Sequence, residues 1–317
     1  MKLAPICIFT YNRLSTLQNT IDALSHNYLI DDSVIYIFSD GSKNNEDSAK
    51  VEAVRSYLKK KIPFKNYELI FREKNIGLSK SIITGVTDII NKHERVIVIE
   101  DDIFTSKNFL LFLNKSLAYY KNDNNIYSVS GFSFPMKPLI TYKYDTFLSL
   151  RPFPWGWGTW KDQWAEINWD IESVFEKFSF NKRAKNDFCK GGQDLFAMLN
   201  NHVKGKIDSW DTVWAFNQYL QQKFSVFPTI SKTINYGFNA DSTHTKGFNI
   251  FNTKLDLSNN QNFNFCASTN IDDEILKSFK NKFSYQNKIR ERLKSISSMH
   301  DLYIVLSDLK IFIERRI

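Results

Sequence analysis

The sequence predicts an α/β fold in which a mostly parallel sheet is flanked by helices. Short apolar runs alternate with helical patterns over residues 1–131, which is the rhythm of βαβ units. Residues 96–99 are all β-branched, as expected of a strand buried on both faces. Polar residues follow each run directly, at the sheet edge where open α/β folds bind ligands.

The elements are expected in a regular order through the first half. Predicted strands cover 6–11, 34–39, 67–72, 95–100 and 126–130, and predicted helices cover 14–24, 47–60, 78–91 and 108–121. After Gly131, prolines and tryptophans interrupt this order. Helices are expected again at 184–202 and 211–223, a strand at 225–227, and amphipathic helices from 272, the last at 300–315.

This pattern predicts one main domain and an extension. The domain covers 1–250, with a first half over 1–131 and a second over 132–250, and a helical C-terminal extension covers 251–317. The length of 317 residues is sufficient for a large core. The aromatic content of 15% is high, and these rings either fill the core or line a pocket.

Composition favours a cytoplasmic protein. The three cysteines are far apart and form no CxxC pair, which argues against a zinc ribbon or a disulfide framework. The N-terminal apolar run is too short for a secretory signal, and no stretch approaches the roughly 18 apolar residues of a membrane span. We therefore expect no integral membrane segment.

An acidic triplet ends the fourth predicted strand. Residues 96–99 are all apolar, and Glu100, Asp101 and Asp102 follow at once. Burying three acids together is costly unless a cation neutralises them, and hard oxygen ligands suit Mg²⁺ or Mn²⁺ bridged to substrate phosphates. The alternative is a solvated acidic turn after a core strand.

The earlier predicted strands also end in polar residues. Asp40 is suited to a ribose hydroxyl or a base N–H, and a cationic side chain after the third strand is suited to a phosphate. The alternatives are an Asp-Gly turn at Asp40 and a helix cap at Asn75. No GxGxxG or GxxxxGK[ST] motif occurs, which argues against a dehydrogenase or a P-loop enzyme. The residues predicted to form a nucleotide cleft are Thr10, Tyr11, Arg13, Asp40, Arg72, Asn75 and Lys80.

Taken together, these motifs resemble the inverting glycosyltransferases of GT-A fold. Their spacing is similar to that of N-acetylglucosaminyltransferases that begin complex N-glycan branching, and of bacterial family 2 glycosyltransferases. The resemblance covers about residues 5–248. It implies a Rossmann-like nucleotide-sugar-binding sheet. The segments that carry it are 8–13, 39–41, 75–78, 100–102, 155–160, 210–214, 228–233 and 242–244.

The resemblance implies roles for the acids. Asp102 would ligate Mn²⁺ or Mg²⁺, Glu100 and Asp101 would contact the ribose or sugar, and Asp40 the nucleoside. His244 lies where some GT-A enzymes place a further metal or diphosphate ligand, although it is equally a plain loop histidine.

The resemblance also implies that Asp211 is the catalytic base. An inverting transfer needs a carboxylate that takes the acceptor hydroxyl's proton. The family has two adjacent acids here and this chain has one, so Asp208 and Asp194 stay open as alternatives. Asp211 also fits a helix N-cap.

The tryptophan-rich segment has two interpretations. Trp155, Gly156, Trp157 and Trp160 would bind the acceptor, with rings stacked on sugar faces, or the tryptophans would be core residues. Arg151, just before them, would pair with a diphosphate.

The last part of the chain is basic. The net charge is +8, and ten Lys/Arg stand against four Asp/Glu from residue 275 onward. Interleaved aromatic and aliphatic residues suit helices that lie on an anionic membrane, and no nucleic-acid-binding motif appears. A solvated charged face is the alternative.

The sequence therefore predicts a metal-dependent inverting glycosyltransferase. Its donor would be a nucleotide sugar, most simply UDP-linked, and its acceptor a glycan or lipid-linked glycan in bacterial surface polysaccharide assembly. We expect it in the cytoplasm, with peripheral contact to the inner face of the plasma membrane through the C-terminal helices and no nucleic-acid partner. A nucleotidyltransferase that makes activated sugars, or a non-catalytic carbohydrate-binding protein, are the alternatives.

Overall fold

A large mixed sheet organises the molecule. The computed structural model describes residues 2–60, 62–237, 251 and 253–294. The strands of this part are β1 (Ile6–Thr10), β2 (Val34–Ser39), β3 (Asn66–Phe71), β4 (Arg95–Glu100), β5 (Ile103–Thr105), β6 (Ile126–Ser130), β7 (Thr146–Ser149), β8 (Trp157–Trp160), β9 (Phe224–Pro228) and β10 (Thr233–Asn235). Eight of them form the sheet in the order β3-β2-β1-β4-β8-β6-β9-β7, and β5 pairs with β10 in a separate ribbon.

Six of the eight strands run in one direction. The pairs β3/β2, β2/β1, β1/β4 and β6/β9 are parallel. The strands β8 and β7 run antiparallel to their neighbours. The prediction of a mostly parallel sheet is confirmed, and the topology matches the GT-A fold. The carboxyl ends of β1, β2 and β4 lie side by side at one edge of the sheet.

The helices cover both faces of the sheet. In the described residues they are α1 (Leu14–Ser25), α2 (Asn45–Lys59), α3 (Leu78–His93), α4 (Phe109–Tyr119), α5 (Lys161–Ala165), α6 (Glu172–Phe180), α7 (Lys182–Phe188), α8 (Leu195–Val203), α9 (Trp210–Leu220), α10 (Asp273–Lys282) and α11 (Tyr285–Lys294). None of these is long and apolar enough to cross a bilayer.

Alternation along each strand builds two cores. In β1, Ile6 and Ile8 pack on one face, with residues of α1, α2 and α4. Cys7 and Phe9 pack on the other face, with residues of α3 and the tryptophan-rich region. Because both faces are buried, β1, β2 and β4 are almost entirely apolar, which is why the sequence marks these strands clearly.

Two second-half predictions were wrong in detail. The tryptophan-rich segment, for which no strand was predicted, contains β8 in the interior of the sheet, and β7 was not predicted either. The single helix predicted over 184–202 is two helices, α7 and α8. The break falls at Gly191 and Gly192, where Gly192 adopts a φ of +154° and a Cβ atom on Gly191 would lie 2.7 Å from the carbonyl oxygen of Leu150.

The described helices of the predicted extension pack against the second half. From α10, Ile275 and Phe279 join an aromatic cluster that includes Phe132, Phe147 and Phe227. The domain limits at 131 and 250 stay predictions, and the helix expected over 300–315 lies outside the described residues.

Candidate functional site

Asp101 anchors the loop that follows β1. It lies in the turn between β4 and β5, and its carboxylate accepts hydrogen bonds from Thr10 Oγ1 (3.0 Å) and the Tyr11 backbone N–H (3.3 Å). The guanidinium of Arg13 forms a charged hydrogen bond with it. Thr20 Oγ1, which the sequence did not single out, donates to the Asp101 carbonyl (2.9 Å). The predicted convergence of the ends of β1 and β4 is therefore observed.

Asp102 has a buried carboxylate oxygen without a partner. The residue is 8% exposed, and its Oδ2 lies 2.9 Å from Arg13 Nη2. Its Oδ1 is buried and accepts no hydrogen bond from the described residues. Burial raises the pKa of Asp102 to about 6, with Arg13 opposing this and Asp101 adding to it. A buried, unsatisfied oxygen is costly, and a cation would satisfy it.

The segment after β10 closes against Asp102. The Tyr236 backbone N–H donates to the Asp102 carbonyl (2.9 Å), and a Cβ atom on Gly237 would lie 2.2 Å from Asp102 Oδ2. Asn235 Oδ1 accepts from the Gly237 N–H (2.6 Å). Sequence reasoning missed these three residues, because only the β5–β10 pairing brings them to the acids.

The residues present fit a divalent cation held largely by a substrate. No cluster of three or more His, Cys, Asp or Glu poised for a metal occurs in residues 2–60, 62–237, 251 and 253–294. A Mg²⁺-type ion commonly takes one or two carboxylates, and substrate phosphates complete its coordination. Asp102 supplies such a carboxylate. The second predicted ligand, His244, lies outside the described residues, as do Ser242 and Thr243.

The pKa of Glu100 is affected by the other acids of the triplet and by Asp211 of α9. Burial raises the pKa of this half-buried carboxyl well above its ordinary value, and the negative charges of Asp102 and Asp101 raise it further. Arg13 opposes these effects, and the charge of Asp211 adds to them. The charge of Asp211 therefore acts on Glu100, the first acid of the triplet.

Asp211 lies in the first turn of α9 but does not cap it. The N-cap is Ser209, whose hydroxyl donates to Asp211 Oδ1 (2.6 Å), so the N-cap interpretation of Asp211 was wrong. The carboxylate is half-buried, and its Oδ2 has no hydrogen-bond partner in the part of the chain that the structure describes. Asp208, the alternative base, accepts from Ser79 Oγ (2.6 Å) at the start of α3.

Asp194 is not available as a base. Its buried carboxylate lies 2.8 Å from Arg151 Nη1 and 2.9 Å from Lys288 Nζ. Burial raises the pKa of Asp194, but these two cations outweigh that effect and hold it below its ordinary value. Arg151 is itself only 7% exposed and packs against the Phe283 ring. The expectation that Arg151 pairs with a diphosphate was therefore wrong.

Asp40 shapes the loop that follows β3. It is 5% exposed, and its carboxylate accepts from the backbone N–H groups of Ile76 and Gly77 at 3.1–3.2 Å. Asn75 Nδ2 donates to the carbonyl of Gly41 (2.9 Å). A Cβ atom on Gly41 would lie 2.5 Å from the Lys74 carbonyl carbon, so this close approach requires glycine. The two loops thus fold together at the sheet edge. A direct contact of Asp40 with a nucleoside stays a prediction.

The remaining predicted cleft residues differ in their contacts. The guanidinium of Arg72 donates to Ser81 O and Thr84 Oγ1 of α3. These hydrogen bonds tie the end of β3 to the helix. Lys80 is exposed. Tyr11 donates its hydroxyl proton to Asp47 Oδ2 (2.9 Å) and thereby ties the β1 loop to α2. Asp47 was not predicted, since an acid in the first turn of a helix is common.

The acceptor role of Trp157, Gly156 and Trp160 was wrong. Trp157 is 1% exposed and Trp160 is 5% exposed, and both lie in the core on β8. Gly156 has φ +78°, and a Cβ atom there would lie 2.8 Å from Thr233 Cγ2, so it serves close packing. Trp155 is half-buried, so its ring retains some exposed surface, and its acceptor role stays a prediction.

Comparison with known proteins identifies the family. The model of the family described as "Glycosyl transferase family 2" matches residues 6–186, which is more than half of the chain. The chain therefore belongs to glycosyl transferase family 2. No curated protein sequence matches it.

Solved structures with a similar arrangement are distant in sequence. The mannosyltransferase PcManGT from Pyrobaculum calidifontis, in complex with GDP-Man and Mn²⁺, is 10% identical, with a TM-score of 0.34 over 51% of this chain and 46% of that one. TarS of S. aureus is 10% identical, with a TM-score of 0.40 over 74% of this chain and 61% of that one. Its complex with UDP is 11% identical, with a TM-score of 0.40 over 73% and 59%. The chain thus spans about half to three fifths of these structures.

Proposed function

We propose that the protein is a metal-dependent, inverting glycosyltransferase. It moves a sugar from a nucleotide-sugar donor, most simply a UDP-sugar, to a hydroxyl group of a glycan or a lipid-linked glycan. The observation that carries this proposal is the buried Oδ1 of Asp102 at the carboxyl end of β4, which has no hydrogen-bond partner among the described residues. Membership of glycosyl transferase family 2 supports it.

Asp102 is the residue that would hold the cation, Mn²⁺ or Mg²⁺. When bound, the cation neutralises the charge that develops on the departing nucleoside diphosphate. Arg13 keeps its pairing with Asp101 and Asp102, which holds the two carboxylates at fixed positions before the donor arrives. Such prior fixing avoids reorganisation during the reaction.

Asp211 would act as the base. Its Oδ1 is engaged by Ser209, which leaves Oδ2 to accept the proton of the acceptor hydroxyl. As that proton moves to Asp211, the acceptor oxygen bonds to the anomeric carbon. The bond from this carbon to the phosphate oxygen breaks on the opposite face, so one displacement inverts the configuration.

The proposal also includes a biological setting. The resemblance of the motifs to bacterial family 2 enzymes supports a role in surface polysaccharide assembly at the cytoplasmic side of the membrane. A domain over 1–250 would carry the reaction, and α10 and α11 of the predicted extension would support its second half.

Thermal shift with nucleotides tests the proposal directly. UDP with Mn²⁺ should raise the melting temperature of the wild type more than either alone, with GDP as the comparison nucleotide. Asp102→Ala should abolish this rise. Asp88→Ala, which removes an exposed acid on α3, is the matched control and should keep it. If the melting temperature of Asp102→Ala still rises with UDP and Mn²⁺, Asp102 is not the residue that holds the cation.

A turnover assay separates transfer from other nucleotide chemistry. Incubation with a UDP-sugar should release UDP, slowly by hydrolysis and faster with an acceptor glycan. Release of pyrophosphate from a sugar phosphate and a nucleoside triphosphate would instead indicate a nucleotidyltransferase.

A further inference from the structure

A basic groove lies between α7 and the C-terminal helices. It has a volume of about 1000 Å³, and its lining includes Lys182, Arg183, Lys190 and Lys280. One wall is the segment from α7 to Gln193, and the other is formed by α10 and the start of α11. The two walls come from parts of the chain about 90 residues apart, so the sequence alone does not show that their charges combine.

The groove carries a strong positive excess. The residues that line it include four Lys/Arg and one acid, Asp187. Lys182 and Arg183 are exposed and have no hydrogen-bond or ion-pair partner in the part of the chain that is described. Lys190 is paired with Asp187. Unpaired neighbouring cations repel each other, and an anionic partner relieves this repulsion.

Exposed apolar side chains lie close in sequence to the residues that line the groove. Phe180, which ends α6 two residues before Lys182, is 84% exposed. On α11, Ile289 and Leu293 are 37% and 53% exposed. A phenylalanine this exposed beside unpaired cations is the combination that peripheral proteins present to a membrane interface, where the ring enters and the cations meet the headgroups.

We propose that this surface docks on an anionic lipid bilayer. Lys182, Arg183 and Lys280 would lie at the headgroup phosphates, and Phe180 would enter the interface. A soluble phosphate or nucleic acid would use the charges but would leave the exposed phenylalanine unexplained, so a bilayer is the partner that accounts for both observations. The proposal does not depend on the transfer activity.

Vesicle co-sedimentation tests the proposal. The full-length protein should bind vesicles of mixed phosphatidylglycerol and phosphatidylcholine, should bind pure phosphatidylcholine far more weakly, and should be released as salt rises. The double variant Lys182→Gln/Arg183→Gln should partition about thirtyfold more weakly, since each cation near an anionic surface contributes roughly one kcal/mol. Phe180→Ser should weaken partitioning by about tenfold with little change in salt dependence.

A charge-matched variant provides the control. Lys50→Gln/Lys60→Gln removes two exposed cations at α2, by the other edge of the sheet, and should partition as the wild type does. All variants should keep the melting temperature of the wild type, since the altered side chains are exposed. The proposal is overturned if the wild type does not prefer anionic vesicles, or if both double variants lose binding equally. It is also overturned if inorganic phosphate binds in a Lys182-dependent way while vesicles do not.

Discussion

Gly237 lies against the proposed metal ligand, and its replacement by alanine tests that assignment without removing a charge. A Cβ atom at this position would lie 2.2 Å from Asp102 Oδ2 and 2.9 Å from Asn235 Oδ1. A carbon and an oxygen atom in contact normally lie about 3.3 Å apart. Gly237→Ala therefore forces the carboxylate oxygen and the new methyl group apart by about 1 Å.

The side chain of Asp102 should yield rather than the backbone. The Tyr236 N–H is bound to the Asp102 carbonyl, and the Gly237 N–H is bound to Asn235 Oδ1, so the segment is held at two points. The carboxylate oxygen is the terminal atom of a side chain, and its displacement would also disturb its pairing with Arg13. A displacement of about 1 Å in an active site can cost about a hundredfold in rate. We expect this loss in UDP release from a UDP-sugar, together with a loss of the thermal shift with UDP and Mn²⁺.

Gly205→Ala is the matched glycine control. Gly205 has φ +66° in the turn after α8, and no atom lies within 4 Å of a Cβ atom built there. Alanine in this left-handed conformation should cost about 1 kcal/mol of stability without affecting turnover. A Gly237→Ala enzyme with wild-type turnover and an unchanged response to UDP and Mn²⁺ would refute the assignment of Asp102.

Three further predictions concern the base, the core and the buried ion pairs. Asp211→Asn should keep the thermal shift with UDP and Mn²⁺ but lose turnover by about a hundredfold or more, and full activity would reassign the base. Trp157→Ala should lower the free energy of unfolding in urea by about 3–5 kcal/mol, and Trp155→Ala by clearly less, because only Trp157 is fully buried; equal losses would contradict this. Arg151→Ala leaves the buried Asp194 with one cation and should cost about 3–5 kcal/mol at pH 7. The pKa of Asp194 is lowered in the folded protein, so its ion pairs stabilise the fold at pH values above its ordinary pKa of about 3.9. The difference in free energy of unfolding between the wild type and Arg151→Ala should therefore shrink as the pH falls below that value. A difference that stays constant with pH would contradict the pairing.

The first half of the fold could be predicted because its signals are local. Strands buried on both faces are continuous apolar runs, and the polar residues that follow them mark the carboxyl edge of the sheet. This is why Arg13, Asp101 and Asp102 were expected together and are found together.

The structure of the tryptophan-rich segment could not be predicted from adjacent residues. Glycines between tryptophans fit a ligand-binding loop and a close-packed strand equally well. The distinction comes from neighbours far away in the chain: a Cβ atom on Gly158 would lie 3.0 Å both from a methyl group of Leu117 and from the carbonyl oxygen of Val96. Asp194 was misread for the same reason, because Arg151 and Lys288 are 43 and 94 residues away.

By itself, then, the sequence determined the parallel strands of the first half and the acids at their carboxyl ends, because hydrophobic periodicity and strand-end polarity are read from adjacent residues. Only the tertiary structure decided which acids are satisfied and which are not. Thr10 and Arg13 both donate to the Asp101 carboxylate, whereas Oδ1 of Asp102 has no hydrogen-bond partner in the part of the chain that is described. The physical reason is that the free energy of a buried charge depends on atoms that folding brings in from distant parts of the chain.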